Sequence, residues 1–281
     1  FIYQTSTFSK TTDENDFNPK YLSNYLSAII SQNNQESDVA IKYFNSSKIL
    51  INKHQGYLKK YVINLTVNGE VQKSINTIKQ NRKKHNSKFF EANLLLLIDN
   101  FKKKKFNENI KLLNEFEKYR SYGNYEYIIY EVLKSYNDLF LTREIKLNDE
   151  KFGKLSLIND AFQYCYLNQS KASSAFINLI NSDEGDYTRY LFFYFNNLIR
   201  NKDFESAKQI SKKINMLESN LLIQQSKKWL DETNYNEFSR IFSCENEKDI
   251  LAEFFFLISN FLAVDNNFKK SNFYSNISNY L

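Results

Sequence analysis

The side chains that most often carry out chemistry in proteins, histidine and cysteine, are rare in this sequence. His54 and His85 are its two histidines, and each lies among lysines and asparagines with no cysteine or acidic residue at metal-ligand spacing. We expect both to be exposed turn residues. Cys165 and Cys244 are far apart and form no Cys-x-x-Cys pair, so we expect neither a disulfide framework nor a zinc site. Cys165 lies in the apolar stretch AFQYCYL, which predicts a small core residue.

The motifs of the common catalytic and nucleotide-binding sites do not occur. The sequence contains no GxxxxGK(S/T), GxGxxG, HExxH or GxSxG, and its five glycines leave little material for a phosphate-binding loop. The carboxylate pairs at 13–14 and 183–184 lie in polar stretches, where charge is expected without function. We therefore expect a protein that is not an enzyme and holds no metal or cofactor. An enzyme would need a polar pocket with titratable groups of perturbed pKa.

A lysine-rich stretch, ANLLLLIDNFKKKKFNENIKLL at 92–113, fits a membrane anchor, a nucleic-acid-binding patch or two helices joined by a turn. No apolar run approaches the ~18 residues that a membrane span requires, so we expect no membrane span. Apolar residues recur at helical spacing on both sides of the lysines. This favours two helices, with the lysines at 102–105 exposed in the turn. The apolar positions are Leu94, Leu97, Ile98 and Phe101, then Phe106, Ile110 and Leu113.

The composition indicates an all-α fold. Hydrophobic residues make up 42% and aromatic residues 16% of the 281 residues, which excludes a disordered chain. Only five glycines and one proline are present, whereas β-rich and α/β folds need these residues at their many turns. The formal net charge of +6 is modest, because 38 basic residues accompany 32 acidic ones. A nucleic-acid-binding helical-repeat protein remains the alternative, and it would require a continuous basic groove.

The chain divides into a polar arm at 1–17 and a helical region at 18–281. Asn18-Pro19 is a helix-start signal, with Asn as the N-cap and Pro at the first helical position. Further on, FSRIFSC and its flanks at 233–247 indicate a looser connection. The later helices are predicted at 125–141, 152–167, 170–180, 186–200, 204–216, 220–231, 250–264 and 268–280.

Residues 21–119 show a repeat. Units that start at Tyr21, Gln55 and Phe90 are 34 and 35 residues apart. Small or medium residues recur at positions 8 and 20 of the unit, and a large apolar residue recurs at position 24. These are Ala28, Ala40 and Phe44 in the first unit, Val62, Ser74 and Ile78 in the second, and Leu97, Asn109 and Leu113 in the third.

This pattern resembles the tetratricopeptide repeat (TPR), whose period is 34 residues. Val62, Leu97 and Asn109 depart from the small residues of that motif, and its usual proline near position 32 is missing. The resemblance implies an α-solenoid of antiparallel helix pairs forming a right-handed superhelix, with clear repeats at 21–119 and degenerate ones at 120–281. The whole pattern, including YLSNYLSAIISQNNQESDVAIKYF, is similar to bacterial exported TPR-type proteins.

The resemblance also implies a function and a binding surface. TPR proteins usually bind peptides on the concave face, through positions 2, 5, 9 and 12 of each repeat. We expect a non-catalytic scaffold that binds a peptide or protein partner, because the mapped surface is largely apolar. A tight superhelix would instead place these residues in the core, and both possibilities stay open. The mapped residues are Tyr25, Ile29, Gln32, Lys59, Ile63, Thr66, Glu91, Leu94, Ile98 and Phe101.

The sequence leaves the partner and the oligomeric state open. We expect no specific nucleic acid as a partner. The N-terminal arm is a candidate for filling the concave groove. The chain begins at Phe1 without an initiator Met, which tilts the expected compartment weakly towards a periplasmic or exported location, with the cytoplasm as the alternative.

Overall fold

The computed structural model describes residues 18–83, 87–119, 125–146, 152–181, 188–215 and 219–281, and within these residues the fold is all-α without a strand. The predicted arm at 1–17 lies outside the described residues. The fifteen α-helices of the described residues are α1 Pro19–Asn33, α2 Ser37–Ser46, α3 Tyr57–Val67, α4 Val71–Asn81, α5 Phe90–Lys102, α6 Phe106–Phe116, α7 Tyr125–Thr142, α8 Lys154–Tyr166, α9 Lys171–Ile180, α10 Tyr190–Arg200, α11 Phe204–Lys212, α12 Leu221–Asp231, α13 Asn236–Ile241, α14 Glu247–Val264 and α15 Phe268–Tyr280. Short 3-10 helices follow α2 at Lys48–Asn52 and α6 at Glu117–Tyr119.

The helix limits follow local sequence signals. Helix α1 begins at Pro19, and the Asn18 side chain accepts a hydrogen bond from the Lys20 N–H at 2.9 Å, as the N-cap prediction requires. Helices α7 and α15 match their predicted ranges to within one residue. The looser connection at 233–247 is wrong in part, because α13 forms within it. Residues 186, 187 and 216 of two predicted helices lie outside the described residues.

Consecutive helices pack in pairs, and small residues lie where the two helices of a pair meet. Ala28 of α1 and Ala40 of α2 are fully buried. In the next pair the Ser74 hydroxyl donates to the Val62 carbonyl oxygen at 2.9 Å. In the last pair the Ser259 hydroxyl donates to the Ser271 carbonyl oxygen at 3.0 Å, across the same separation of twelve residues. The contact between positions 8 and 20 of the repeat therefore recurs at the far end of the chain.

The turn within each pair has one recurring geometry. Seven turns contain a residue with positive φ soon after the first helix ends, and these residues are Gln35, Gly69, Lys104, Asn168, Lys202, Thr233 and Asn266. The N–H that follows donates back to a carbonyl of the helix, for example Glu70 to Leu65 at 2.8 Å and Lys105 to Asn100 at 2.9 Å. This is the Schellman pattern, in which glycine usually takes the left-handed position. Only Gly69 among the seven is a glycine, which fits the scarcity of glycine in the chain.

A disulfide joins Cys165 of α8 to Cys244, which follows α13; the Cα atoms are 5.7 Å apart. Both residues are fully buried. The expectation that the two cysteines stay unpaired is therefore wrong, although Cys165 is a core residue as predicted. Packing of α10 between the two segments brings them together, since Asn196 donates to the Phe242 carbonyl at 2.7 Å and Arg200 donates to the Cys165 carbonyl at 2.6 Å.

The left-handed turns give a first testable prediction. Thr233 has φ 56°, a conformation that a β-branched residue adopts at a cost of about 1 kcal/mol or more. We expect Thr233→Gly to raise the free energy of unfolding by about 1 kcal/mol in chemical denaturation. The matched change is Gly69→Ala, at φ 80°, where an added Cβ would meet only ordinary contacts; it should lower stability by a similar amount. A loss of stability in Thr233→Gly would contradict the turn geometry.

The disulfide gives a second prediction. It closes a sequence separation of 79 residues, and removal of a native disulfide with a loop of this size lowers stability by about 2 to 4 kcal/mol. We expect Cys165→Ser combined with Cys244→Ser to show that loss in urea denaturation. The wild-type chain with a reductant should show the same loss, while a thiol reagent added to the denatured, unreduced chain should find no free thiol. Two free thiols would rule out the bond.

Candidate binding surface

Six of the ten residues predicted for the concave face are buried, and four are accessible. Tyr25, Gln32, Thr66, Leu94, Ile98 and Phe101 are each at most 7% exposed. Of the four accessible residues, Lys59 is exposed, and the other three, Ile29, Ile63 and Glu91, are half-buried. The predicted surface thus divides into a core part and a smaller part that another molecule could reach.

Tyr25 belongs to an aromatic cluster in the first repeats. Its ring centroid lies 5.4 Å from that of Tyr57 and 4.7 Å from that of His54. His54 is half-buried, and its Nδ1 accepts a hydrogen bond from the Gly56 N–H at 3.2 Å. The expectation of an exposed turn histidine is therefore wrong for His54, while His85 lies outside the described residues.

The other buried predictions pack between helices. The Thr66 hydroxyl donates to the Val62 carbonyl at 3.0 Å and lies 2.9 Å from the Ser74 hydroxyl, so Thr66 faces α4. Leu94 and Ile98 of α5 are fully buried in the main core. Phe101 contacts the Phe140 ring edge-on at 6.1 Å between centroids. These residues stabilise the fold and are closed to a partner in this structure.

The C-terminal helix α15 covers part of the predicted surface. It packs on α3 and α4, and α14 contacts α5. The Asn276 amide donates to the Val67 carbonyl at 2.8 Å, and the Tyr280 hydroxyl donates to Gln72 Oε1 at 2.7 Å. The Lys102 ammonium donates to the Tyr280 carbonyl and lies 3.7 Å from the centroid of the Tyr280 ring. The arm was the candidate for this position, and within the described residues α15 occupies it.

Two lysines of the run at 102–105 contact the C-terminal helices α14 and α15. Lys102 binds α15, and Lys104 Nζ lies 2.8 Å from Glu247 Oε2 at the start of α14. Lys103 binds Asp99 at 2.7 Å and Lys105 binds Glu108 at 2.7 Å. Lys103, Lys104 and Lys105 are exposed, as predicted, but each ammonium has a protein partner. For Lys102 the prediction is wrong, because this last residue of α5 is half-buried against α15.

Glu247 is the buried anion of this junction, with 9% of its side chain exposed. Besides the Lys104 ion pair, its Oε1 accepts a hydrogen bond from the Tyr166 hydroxyl at 3.1 Å. Burial acts to raise the pKa of Glu247, but bonds from Lys104, its own backbone N–H and Tyr166 outweigh burial and lower the pKa below its ordinary value of 4.5. The carboxylate therefore stays ionised at neutral pH and holds α14 against the turn after α5.

A cleft of about 240 Å³ remains open beside α15, and we name it the α15 cleft. The N-terminal repeats contribute the predicted residues Ile63 and Glu91 to its wall. A third predicted residue, Lys59, binds Glu91 at 3.2 Å. The complete lining is Ile63, Phe90, Glu91, Tyr125, Asn267, Lys269, Lys270, Phe273 and Tyr274. Ring and aliphatic carbons form much of the wall, and α15 adds two lysines.

The two lysines of α15 differ in their surroundings. Lys270 lies 4.4 Å from the centroid of the Tyr125 ring, a cation–π contact. Lys269 is half-buried and forms no ion pair within the described part of the chain. Burial, and then the charge of Lys60, lower the pKa of Lys269 below its ordinary value. A bound anionic group would relieve both effects, so the α15 cleft can hold an apolar side chain next to a carboxylate.

Among the described residues, no group of three or more His, Cys, Asp and Glu side chains could hold a metal ion. None of the helices of those residues has both the length and the apolar character that crossing a membrane requires. A scan against protein-family models and searches of curated proteins and of solved structures returned no significant match.

The Glu247 junction gives a prediction about pH. Because the pKa of Glu247 is lowered in the folded chain, its contribution is present at neutral pH and is lost as the pH falls below about 4.5. We expect Glu247→Gln to lower the free energy of unfolding at pH 7 by about 1 to 3 kcal/mol. The difference from wild type should shrink in denaturation at pH 4 and below.

Glu245→Gln is the matched control, since Glu245 is 66% exposed in its ion pair with Arg200, and it should cost at most about 1 kcal/mol. Equal losses in both variants would contradict the role of Glu247.

Proposed function

We propose that this chain is a non-catalytic, TPR-like scaffold that binds a peptide or protein partner through the α15 cleft. In this proposal the helix pairs are antiparallel and stack into a right-handed solenoid. The partner inserts an apolar side chain between Ile63 and Phe273 and places a carboxylate against Lys269. The observation that carries the proposal is that two accessible predicted residues, Ile63 and Glu91, line one cleft together with Lys269, which forms no ion pair within the described residues.

The recurring turns support the repeat architecture. The left-handed residues Gln35, Gly69 and Lys104 are 34 and 35 residues apart, and Asn168 and Lys202 are again 34 apart. Consecutive helices contact each other from α1 to α12, and helices two places apart also touch, as α1 does with α3 and α3 with α5. Nearest-neighbour stacking at a 34-residue period is typical of a TPR-like solenoid. The packing of α15 on α3 and α4 is a longer-range contact in addition to that stacking.

The contacts of α15 support a surface suited to peptide binding. Val67 is the last residue of α3, so its carbonyl oxygen has no hydrogen-bond donor within the helix. The Asn276 side-chain amide donates a hydrogen bond to this oxygen. Aromatic residues of α15 fill the space beside it, with Tyr274 edge-on to Tyr125 at 6.3 Å between centroids. The same surface therefore accommodates a helix through polar anchors and ring contacts, the features by which helical segments bind grooves.

The charges disfavour the nucleic-acid alternative. That alternative relies on a continuous track of available cations. The lysines at 102–105 are the densest basic run in the sequence, and all four are engaged by protein groups. The proposal therefore places a protein rather than a nucleic acid in the α15 cleft.

A pull-down with paired variants tests the proposal. The tagged wild-type chain, Lys269→Glu and Lys212→Glu would be incubated with extract of the source cell at physiological salt, with nuclease present. Lys212 is an exposed lysine of α11, so the control has the same change in charge outside the cleft. We expect wild type and Lys212→Glu to retain the same protein stoichiometrically, and Lys269→Glu to bind it about tenfold more weakly, a change of about 1.4 kcal/mol. Equal retention by all three, or nuclease-sensitive retention, would refute the proposal.

A further inference from the structure

A second cleft, larger than the α15 cleft, lies between α4, α5 and α6, and we name it the basic cleft. Its volume is about 580 Å³, within the range of pockets that bind ligands. Its charged lining consists of six cations, Lys79, Arg82, Lys88, Lys103, Lys105 and Lys111, and three carboxylates, Asp99, Glu108 and Glu115. No residue predicted for the concave face lines it, and it shares no lining residue with the α15 cleft.

Half of the cations are already committed to the protein. Asp99 on the floor has 1% of its side chain exposed and forms ion pairs with Lys79 and Lys103. Burial acts to raise the pKa of Asp99, but the bonds from Lys103 and Lys79 outweigh it and lower the pKa, so the carboxylate stays ionised. Lys105 pairs with Glu108. Asp99 thus fixes two lysines in place at the floor of the cleft.

The other three cations face the cleft without a partner. Arg82, Lys88 and Lys111 form no ion pair within the described part of the chain, and all three are exposed. They come from the end of α4, from the segment before α5 and from α6. Three unpaired cations from three segments around one opening create a positive potential that favours an anionic ligand.

Asn93 adds an observation that does not depend on charge. It lines the cleft from α5 and is 5% exposed, yet its side-chain amide forms no hydrogen bond within the described residues. A ligand that offers both a donor and an acceptor can pair with the oxygen and the nitrogen of this amide. A peptide group offers both.

The lining favours a peptide over a nucleic acid. Among the described residues no aromatic side chain lines the basic cleft, so these residues offer bases no ring on which to stack. The flexible side chains of an acidic peptide can direct carboxylates to the cations and away from Asp99, Glu108 and Glu115, whereas the phosphates of a nucleic acid are fixed to its backbone.

We propose that the basic cleft binds a short, extended acidic peptide segment. Asn93 hydrogen bonds a peptide group of that segment, and Arg82, Lys88 and Lys111 bind its carboxylates.

Fluorescence anisotropy with a labelled octaglutamate peptide tests this proposal at physiological salt. We expect saturable binding with a Kd below about 1 mM. Arg82→Glu combined with Lys111→Glu should weaken binding at least about tenfold. The matched control is Lys212→Glu combined with Lys213→Glu, which has the same change in net charge at exposed positions outside the cleft, and it should leave Kd unchanged within about twofold. Absence of binding, or equal weakening in both double variants, would overturn the proposal.

Asn93→Leu separates recognition from folding. Because the amide forms no hydrogen bond to the described residues, replacing it with an apolar group of similar size removes no bond of the fold and should leave the Tm unchanged. The same variant should bind the peptide several-fold more weakly. A lowered Tm would show that Asn93 serves the fold and would overturn its assigned role.

Binding of a labelled single-stranded oligonucleotide of eight thymidines is then compared with binding of octaglutamate. The proposal requires weaker binding of this oligonucleotide than of octaglutamate at physiological salt. Tighter binding that is also lost in the Arg82 and Lys111 double variant would assign the cleft to nucleic acid instead. Lys269→Glu, in the α15 cleft, should leave octaglutamate binding unchanged, so failure of this proposal and failure of the proposed function are distinguishable.

Discussion

The contact of the α14–α15 pair with α3, α4 and α5 is the constraint on which the accessible surface depends. It joins segments about two hundred residues apart, as the bond from Asn276 to Val67 illustrates. Without this contact Ile63 and the carbonyl groups at the C-terminal end of α3 would be exposed to water. With it, Ile63 is half-buried and a cleft remains between α15 and the N-terminal repeats. Partner binding, as proposed, therefore depends on a contact that neither end of the chain makes alone.

The lysines at 102–105 supply positive charge both to the contact with the C-terminal pair and to the basic cleft. The turn after α5 directs Lys102 and Lys104 to the C-terminal pair and directs Lys103 and Lys105 to the basic cleft. A Schellman turn makes this division possible, because the left-handed Lys104 reverses the chain within a few residues. A single turn therefore contributes to both proposed sites. The exposed pair of Lys105 with Glu108 contributes little to stability, whereas loss of Lys103 or Lys104 would leave a buried carboxylate, Asp99 or Glu247, without that partner.

The all-α class and most helix limits could be predicted because they follow from local signals. Asn18-Pro19 marks the start of α1, and the apolar spacing from Phe268 onwards matches α15. The six-residue α13 is too short for periodicity to reveal. The left-handed turns were hidden because Lys, Asn, Gln and Thr replace the glycine that usually marks them. The sequence pattern predicted close contact between positions 8 and 20 only in the first repeats. Ser259 and Ser271 form the equivalent contact in the last helix pair, at the same spacing of twelve residues.

Long-range pairing could not be predicted. The Cys165–Cys244 disulfide depends on how α8, α10 and the segment after α13 pack, and spacing along the sequence does not encode that packing. Likewise, the register of the first three repeats identified Ile63 and Glu91 as accessible residues of the surface, but nothing local indicates that Lys269 lies beside them. The unpartnered amide of Asn93 is visible only once its neighbours are placed.

Hydrogen–deuterium exchange of the backbone amides tests the central claim most directly. If α15 packs on α3 and α4, its amides should exchange as slowly as those of α3, because both helices unfold in the same cooperative opening. Asn276→Ala should speed exchange in α15 and at the C-terminal end of α3 while leaving α8 and α9 unchanged. Rapid exchange throughout α15 in the wild-type chain, alongside protected α3 and α5, would show that the C-terminal pair does not dock. The α15 cleft would then not exist.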